Sequence, residues 1–234
     1  DGGMSTDAST ARVRLTAFLA GLLLLTACSE TPPNDGKEAS SQSSTTPVSQ
    51  TDGEVAHVVT MIGDRIRIYA DPTLEQFVEE EMIANVLVGQ VTKTEAVVSQ
   101  PGNHVETILT VQVAAQRNGG PTTAYVRERG GVVPLSKVRS DFEGKLGRVL
   151  ADGELEKLVD YRVEDVEHAA QGDEVLLIVA TDDSADRPGS YVSMGRLVRR
   201  AGDRGIDPVE ATYEWAGMSP NEAWVKSVVA KDLL

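Results

Sequence analysis

The side chains that could do chemistry are few and widely separated along this chain. The three histidines are His57, His104 and His168, whereas a zinc-binding helix would place two histidines four residues apart. No Gly-x-Ser-x-Gly segment occurs, so the sharp turn that presents a catalytic serine is missing. The sequence therefore predicts no catalytic residue, no metal site and no cofactor.

Asp182, Asp183 and Asp186 form the one acidic cluster with a spacing that suggests calcium. A calcium loop starting at Asp182 would need glycine at its sixth position and glutamate at its twelfth, where Arg187 and Ser193 stand. We interpret the cluster as the polar tip of a hairpin.

Four arginines, Arg196, Arg199, Arg200 and Arg204, make a local basic patch in a chain of net charge −14. The patch could meet an anionic ligand, but a solvated face with intramolecular ion pairs is the favoured interpretation. The overall excess of acid argues against nucleic acid as a partner, because that affinity depends on neutralising phosphates.

Tyr213, Trp215 and Trp224 place both tryptophans near the carboxyl end of the sequence. They could form an aromatic platform for a sugar or a protein partner. The favoured interpretation is that a strand and a helix pack these rings together in the core.

The single cysteine, Cys28, follows an apolar run of 13 residues at positions 15–27, with Arg12 and Arg14 before it. The run is shorter than the roughly 18–20 residues that cross a bilayer as a helix. A cationic start, a short apolar middle and small residues at its end predict a secretory signal peptide over residues 1–27. One cysteine also excludes an internal disulfide framework.

The segment Leu25-Thr26-Ala27-Cys28 resembles the lipobox of bacterial lipoproteins. The resemblance implies cleavage between Ala27 and Cys28 and thioether lipidation of Cys28 by diacylglyceryl. It further implies a protein held at the extracytoplasmic face of the cell membrane, with the membrane as a partner through the lipid on Cys28. Two or three acyl chains anchor strongly, at about 0.8 kcal/mol per buried CH₂.

Residues 28–53 are rich in Ser, Thr, Pro and Gln, and Val48 is their one aliphatic side chain larger than alanine. Such a segment cannot bury enough apolar surface to offset the entropy of ordering it. The composition predicts a disordered tether with an r.m.s. span of about 25–30 Å.

Residues 54–234 are predicted to form a single globular domain with a charge of −11, from 19 basic and 30 acidic residues. Hydrophobic periodicity and turn residues predict strands at 83–91, 105–113, 122–127, 161–166, 175–179, 191–198 and 209–215. The same signals predict helices at 73–81, 136–150 and 219–233 and a helical turn at 154–159. Gly89 is expected to mark a bulge or a bend at a barrel corner.

The short turns between strands predict an α+β fold that is mostly antiparallel β, with a small OB-like barrel or curved sheet flanked by helices. The element order is similar to that of secreted bacterial proteins with an OB-like barrel, apart from an insertion at 134–160. That resemblance brings no catalytic motif with it. The expected function is that of a membrane-anchored extracytoplasmic lipoprotein with a non-catalytic binding or interaction domain, whose partner is an envelope protein or ligand. The alternative is a cell-envelope hydrolase with a dispersed active site.

Replacing Cys28 with serine tests the anchor. Since the thioether needs the thiol, we expect the C28S chain either to stay as an uncleaved precursor or to be released without lipid. Detergent-phase partitioning of membrane fractions measures this, with S29A as the matched control. A C28S protein that partitions like the wild type would contradict the lipobox assignment.

Overall fold

The computed structural model describes residues 46–48 (backbone only), 55–61, 73–99, 104–163, 166–217 and 224–234. The predicted signal peptide, Cys28 and all of the predicted tether except 46–48 lie outside these residues. The strands are β1 (Thr46–Val48), β2 (Val55–Met61), β3 (Asn85–Ser99), β4 (His104–Gln116), β5 (Thr123–Arg129), β6 (Gly131–Pro134), β7 (Leu158–Val163), β8 (Glu174–Thr181), β9 (Ser190–Arg199), β10 (Thr212–Trp215) and β11 (Ser227–Val229). The helices are α1 (Leu74–Phe77), α2 (Arg139–Leu146) and α3 (Asp152–Leu155), with 3₁₀ turns at Leu135–Lys137, Ala201–Asp203 and Ala230–Asp232. None of the helices in the described ranges is long and apolar enough to span a bilayer.

Five strands close into a barrel. β3, β4 and β5 form an antiparallel meander, and β8 pairs antiparallel with both β3 and β9. A parallel pair between β5 and β9 completes the circuit, so the order around the barrel is β3–β4–β5–β9–β8–β3. One parallel pair in an otherwise antiparallel five-stranded barrel is an OB-like arrangement. The predicted α+β fold with a small OB-like barrel flanked by helices is confirmed.

The two central strands, β3 and β8, are buried on both faces. On β3, Leu87 and Val91 belong to the cluster that fills the barrel, whereas Val86 and Val88 belong to a second cluster outside it. β8 alternates in the same way, with every residue from Val175 to Val179 fully buried. Burial on both faces explains why these strands are continuous apolar runs instead of alternating ones.

The outer cluster joins α1 and the carboxyl-terminal segments to the barrel wall. Thr73 caps α1 by accepting a hydrogen bond from the Gln76 amide at 3.2 Å, as the capping spacing predicts. Leu74 and Phe77 on α1 and Tyr213 on β10 are buried in this cluster.

A second sheet covers the far end of the β3–β4 hairpin. β7 lies in its middle, parallel to β2 and antiparallel to β6. Phe142 of α2 and Tyr161 of β7 pack there against Val98 and Val105. The insertion at 134–160 thus lies in the connection from β5 to β8 and leaves the barrel closed.

The barrel is bent by bulges. The β3–β4 register shifts at Gly89, where a Cβ atom would overlap the Gln112 carbonyl oxygen and lie 2.9 Å from Cγ1 of Val111. The β8–β9 register shifts beside Gly195. The expectation of a bulge at Gly89 is confirmed, because only a residue without a side chain allows the two backbones to approach this closely.

Three residues of the predicted tether form a strand. Thr46–Val48 are β1, which pairs antiparallel with β3 at 96–98 through backbone hydrogen bonds along an open strand edge. The disorder of the tether as a whole stays a prediction.

Two predicted helices and the predicted helical turn differ from the structure. The first ends at Phe77 instead of residue 81, and the second is a 3₁₀ turn followed by α2, which ends at Leu146. Gly147 has a φ of 64°, a left-handed conformation that terminates α2, so Leu146 and Val149 are exposed instead of buried. The turn at 154–159 is α3 only as far as Leu155, because Leu158 and Val159 already pair in β7.

The predicted closing helix is wrong for its described part. Trp224, Val228 and Leu233 are buried as expected, but Val228 lies in β11, which pairs with β10. β10 itself covers only Thr212–Trp215 of the predicted strand at 209–215. Residues 218–223, where the helix was predicted to begin, lie outside the described residues.

Gly89→Ala should destabilise the barrel by about 1–3 kcal/mol, because the new methyl group overlaps the backbone of β4. Urea unfolding followed by circular dichroism measures the free energy of unfolding. Gly144→Ala is the matched control: Gly144 lies in α2 with nothing within 4 Å of an added Cβ atom. The control should be neutral or stabilise by up to about 1 kcal/mol through helix propensity. Equal effects of the two substitutions would contradict the close approach at Gly89.

Candidate ligand-binding groove

A groove of about 570 Å³ lies where the carboxyl end of β9 passes the residues that precede and begin β8. Its size lies within the usual range for small-molecule sites. The groove is lined by Glu167, His168, Gly172, Asp173, Glu174, Arg196, Val198, Arg199, Arg200, Ala201, Arg204, Trp215, Ala216 and Gly217. All four arginines of the basic patch are among these residues.

Backbone hydrogen bonds fix the two sides of the groove to the barrel. On one side, the Gly172 amide donates to the Val91 carbonyl at 2.8 Å, and the Val91 amide donates to the Asp173 carbonyl at 2.9 Å. On the other side, the Ala216 amide donates to the Arg196 carbonyl at 3.0 Å. The groove is therefore built on rigid strands, which favours a preformed site.

The guanidinium of Arg196 is occupied by partners within the protein. Its side chain is only 7% exposed, and its Nε lies 3.1 Å from Oε1 of Glu128 on β5. Its Nη2 donates to the Glu167 carbonyl at 2.5 Å. For Arg196 the ion-pair part of the favoured interpretation is confirmed, whereas the solvated face is not, because the side chain is buried.

Arg199 is also paired, and it holds the loop that follows β9. Its Nη1 donates to Glu174 Oε1 at 2.6 Å, while Nη2 donates to the Asp203 carbonyl at 2.6 Å and to the Ile206 carbonyl. One planar guanidinium thus ties the start of β8 to two points of the loop over 200–206. Its Nε is buried and has no hydrogen-bond partner in the described part of the chain.

Asp203 fixes the same loop from its other side. Its Oδ2 accepts a hydrogen bond from the Thr212 amide at 2.7 Å. This backbone hydrogen bond, helped by the Thr212 side chain and by Arg200 and Arg199, lowers the pKa of the Asp203 carboxyl. The loop over 200–206 is therefore held in place mainly through Arg199 and Asp203, without the guanidinium of Arg204.

Arg200 and Arg204 lie on this loop and remain largely unneutralised. Arg200 is 60% exposed, and its Nε is 3.5 Å from an equally exposed Glu214, a pair worth less than about 1 kcal/mol. Arg204 is exposed and makes no ion pair or hydrogen bond with any of the described residues. Intramolecular ion pairs therefore do not account for the positions of these two arginines at the groove.

Trp215 contributes an aromatic wall. Its ring lies over Gly195, where an added Cβ atom would be 2.9 Å from Cζ3, and its Nε1 donates to the Val225 carbonyl at 3.1 Å. It stacks on Trp224, with ring centroids 5.9 Å apart. The expectation of a packed core is confirmed for Trp224, which is 4% exposed, whereas Trp215 is half-buried and lines the groove.

His168 lies at the edge of the groove beside a buried carboxylate. Its Nε2 is 2.6 Å from Oδ1 of Asp160, whose Oδ2 accepts from Nε of Arg162 at 2.7 Å. Among the described residues no hydroxyl group hydrogen bonds to His168. The pair orients the imidazole, but the geometry supplies no nucleophile for it.

The other candidate residues are not brought to the groove. His57 packs 5.4 Å from the Phe142 ring and His104 is exposed at the start of β4. Asp182 accepts hydrogen bonds from the amide and hydroxyl of Ser184 and pairs with Arg127 at 3.1 Å, so it caps the turn between β8 and β9. Across the described ranges no three acidic, histidine or cysteine side chains come together as metal ligands would. Cys28 lies outside the described residues.

The sequence showed the arginines but not the groove. Glu167, His168 and Asp173 come before β8, whereas Trp215 ends β10 and Ala216 follows it. The β8–β9–β10 pairing brings the two segments together. No local spacing reveals such a site, because these two segments are more than 40 residues apart in sequence.

Asp203→Asn should lower the free energy of unfolding at neutral pH, because the amide replaces a charged acceptor. The unfolded carboxyl titrates near 3.8, whereas the native carboxyl stays charged to lower pH. The stabilisation is therefore complete above the unfolded pKa and is lost as the pH falls through the native pKa. Urea unfolding of wild type and variant between about pH 7 and pH 3 should show their difference shrinking as the pH falls. The exposed Asp183→Asn is the control, and a difference that does not vary with pH would contradict this role.

Comparisons of this chain with protein-family models, with curated proteins and with solved structures find no match. The OB-like description thus rests on the strand order alone. A functional argument has to come from the groove and from the chemistry of its side chains.

Proposed function

We propose that this protein is a membrane-anchored extracytoplasmic lipoprotein whose barrel domain is a non-catalytic binding module, with the groove at the end of β9 as its ligand site. The lipobox-like segment ending at Cys28 supports the anchor and its location. The observation that carries the binding role is the groove itself, with its rigid sides, its aromatic wall and two arginines left without strong partners.

The electrostatics of the domain favour contact through the groove. The domain carries a charge of −11, so its surface as a whole repels anionic lipid headgroups and anionic partners. The groove is a local exception, because the positively charged side chains of Arg200 and Arg204 are exposed to solvent there. A binding module needs no more than this, whereas an enzyme needs a reacting group.

A hydrolase is the second candidate, and the pair of His168 and Asp160 is the observation that favours it. With Nε2 occupied by Asp160, only Nδ1 of His168 could act as a base toward water or a substrate. Turnover of an ester or phosphoester that is lost in His168→Asn and kept in Arg139→Gln would favour the hydrolase over the binding module.

The binding role is tested by blocking the groove without changing its charge. Ala201 is exposed and lines the groove, so Ala201→Phe should fill it while leaving the fold intact. Trp215 and Trp224 are the only tryptophans, so intrinsic fluorescence of the full chain in detergent reports occupancy of the groove. The probes are glucose, glucuronate, glucose 6-phosphate and spermidine.

We expect at least one probe to change the fluorescence of the wild type in a saturable manner and to lose that effect in Ala201→Phe. The control is Ala151→Phe, because Ala151 is exposed and lies outside the groove. A response that survives in Ala201→Phe, or no response to any probe, would overturn the groove as a binding site.

A further inference from the structure

Some of the charged side chains around the groove form ion pairs within the protein, and others do not. Four arginines and three carboxylates line it. Arg199 is matched by Glu174, and Arg196 by Glu128 from outside the lining. The Asp173 carboxylate accepts from the Ala170 amide at 2.8 Å.

After these ion pairs, two cationic groups face two acids of the lining, Glu167 and Asp173, because the amide on Asp173 leaves its charge in place. Arg204 and Arg200 are exposed and have weak partners or none among the described residues, and they are opposed by Glu167, which is exposed and lines the groove as well. A guanidinium presents two parallel N–H donors that match a carboxylate or a phosphate. Arg200 and Arg204 therefore offer exposed donors whose geometry suits an oxyanion, in surroundings where the charges balance.

The loop that carries these two arginines is built to hold them there. Arg199 ties the carbonyls of Asp203 and Ile206, the residues on either side of the Arg204–Gly205 dipeptide, to the start of β8. Gly205 has a φ of 86°, which turns the chain back directly after Arg204. The buried Arg199 thus fixes the backbone on both sides of the exposed Arg204. A loop that only has to be solvated does not need such a contact.

The buried Arg199 does not offer its free donor to a ligand in the groove. Its Nε has no hydrogen-bond partner in the described residues, but the atom is closed off from solvent, so an oxygen atom in the open groove does not reach it. The contacts to an anion therefore fall to Arg200 and Arg204.

The aromatic wall and the volume of the groove restrict the class of ligand further. Trp215 lines the groove, and its ring is held against Gly195 and by stacking on Trp224. A fixed indole next to arginines suits a ring that carries an acidic group, and about 570 Å³ suits a molecule of one or two rings.

We propose that the groove binds a small ring-bearing oxyanion, such as a sugar phosphate or a sugar carboxylate, through Arg204 and Arg200, with Trp215 against the ring. This inference rests on the proposed binding role of the groove and names its ligand class. Phosphate and carboxylate share the chemistry that a guanidinium recognises, and the experiment separates them.

The test measures tryptophan fluorescence of the full chain in detergent, titrated at constant ionic strength with glucose 6-phosphate, glucuronate, inorganic phosphate and glucose. We expect at least one of the two sugar anions to bind at least tenfold more tightly than glucose and more tightly than inorganic phosphate. The tighter of the two sugar anions identifies the acidic group.

Single substitutions assign the contact. Arg204→Gln and Arg200→Gln should each weaken binding of the sugar anion about tenfold, the loss expected for one charge-assisted hydrogen bond. Arg204→Lys should recover only part of the loss, because lysine keeps the charge but not the paired donors. Arg139→Gln is the matched control, since Arg139 pairs with Glu143 on α2, away from the groove.

The outcomes separate this inference from the proposed function. If glucose binds as tightly as the sugar anions and Ala201→Phe still blocks it, the groove is a binding site but not for an oxyanion, and the inference fails alone. If the sugar anions bind and both glutamine variants match the wild type, the inference fails as well. If no probe binds, both fail.

Discussion

The burial of β3 and β8 on both faces is the constraint on which the rest of this structure depends. A strand that is covered on one side by the barrel interior and on the other by α1 and the carboxyl-terminal segments has no solvent face on which to slip by one residue. Its register is thereby fixed, and β4, β9 and the second sheet take their positions from it. The groove inherits this rigidity, because Val91 of β3 holds one of its sides and β9 forms its base.

The four arginines show how one sequence pattern can serve two purposes. They occur within nine residues of sequence. Arg196 and Arg199 on β9 are buried in ion pairs with Glu128 and Glu174. Arg200 and Arg204 lie on the following loop and are exposed to solvent. The two buried arginines hold the strands and the loop of the groove in position, and the two exposed arginines place positive charge on its surface. Composition alone treats all four as equal, and only the partners of each guanidinium distinguish them.

Sequence reasoning succeeded where a single physical signal was strong. The meander, the apolar run of β8, the bulge at Gly89 and the cap at Thr73 follow from period-two burial, glycine and capping chemistry. It failed where two signals competed: the helical spacing up to Val149 continued past Gly147, whose left-handed conformation ends α2. At the carboxyl end, burial every four or five residues comes from a strand followed by a 3₁₀ turn, a pattern that imitates a helix. The groove needed tertiary contacts between distant segments, which a local pattern does not contain.

Closure of the barrel through β5 and β9 has a kinetic consequence. Tyr125 pairs with Ser190, and β3 pairs with β8 across an even longer stretch of chain, whereas the strands of the meander from β3 to β5 follow one another directly. High contact order slows folding, since long loops must close before their contacts contribute. The meander can assemble early, but its two outer strands, the apolar start of β3 and the more polar β5, stay unpaired until β8 and β9 are in place. During that interval the chain is most exposed to aggregation.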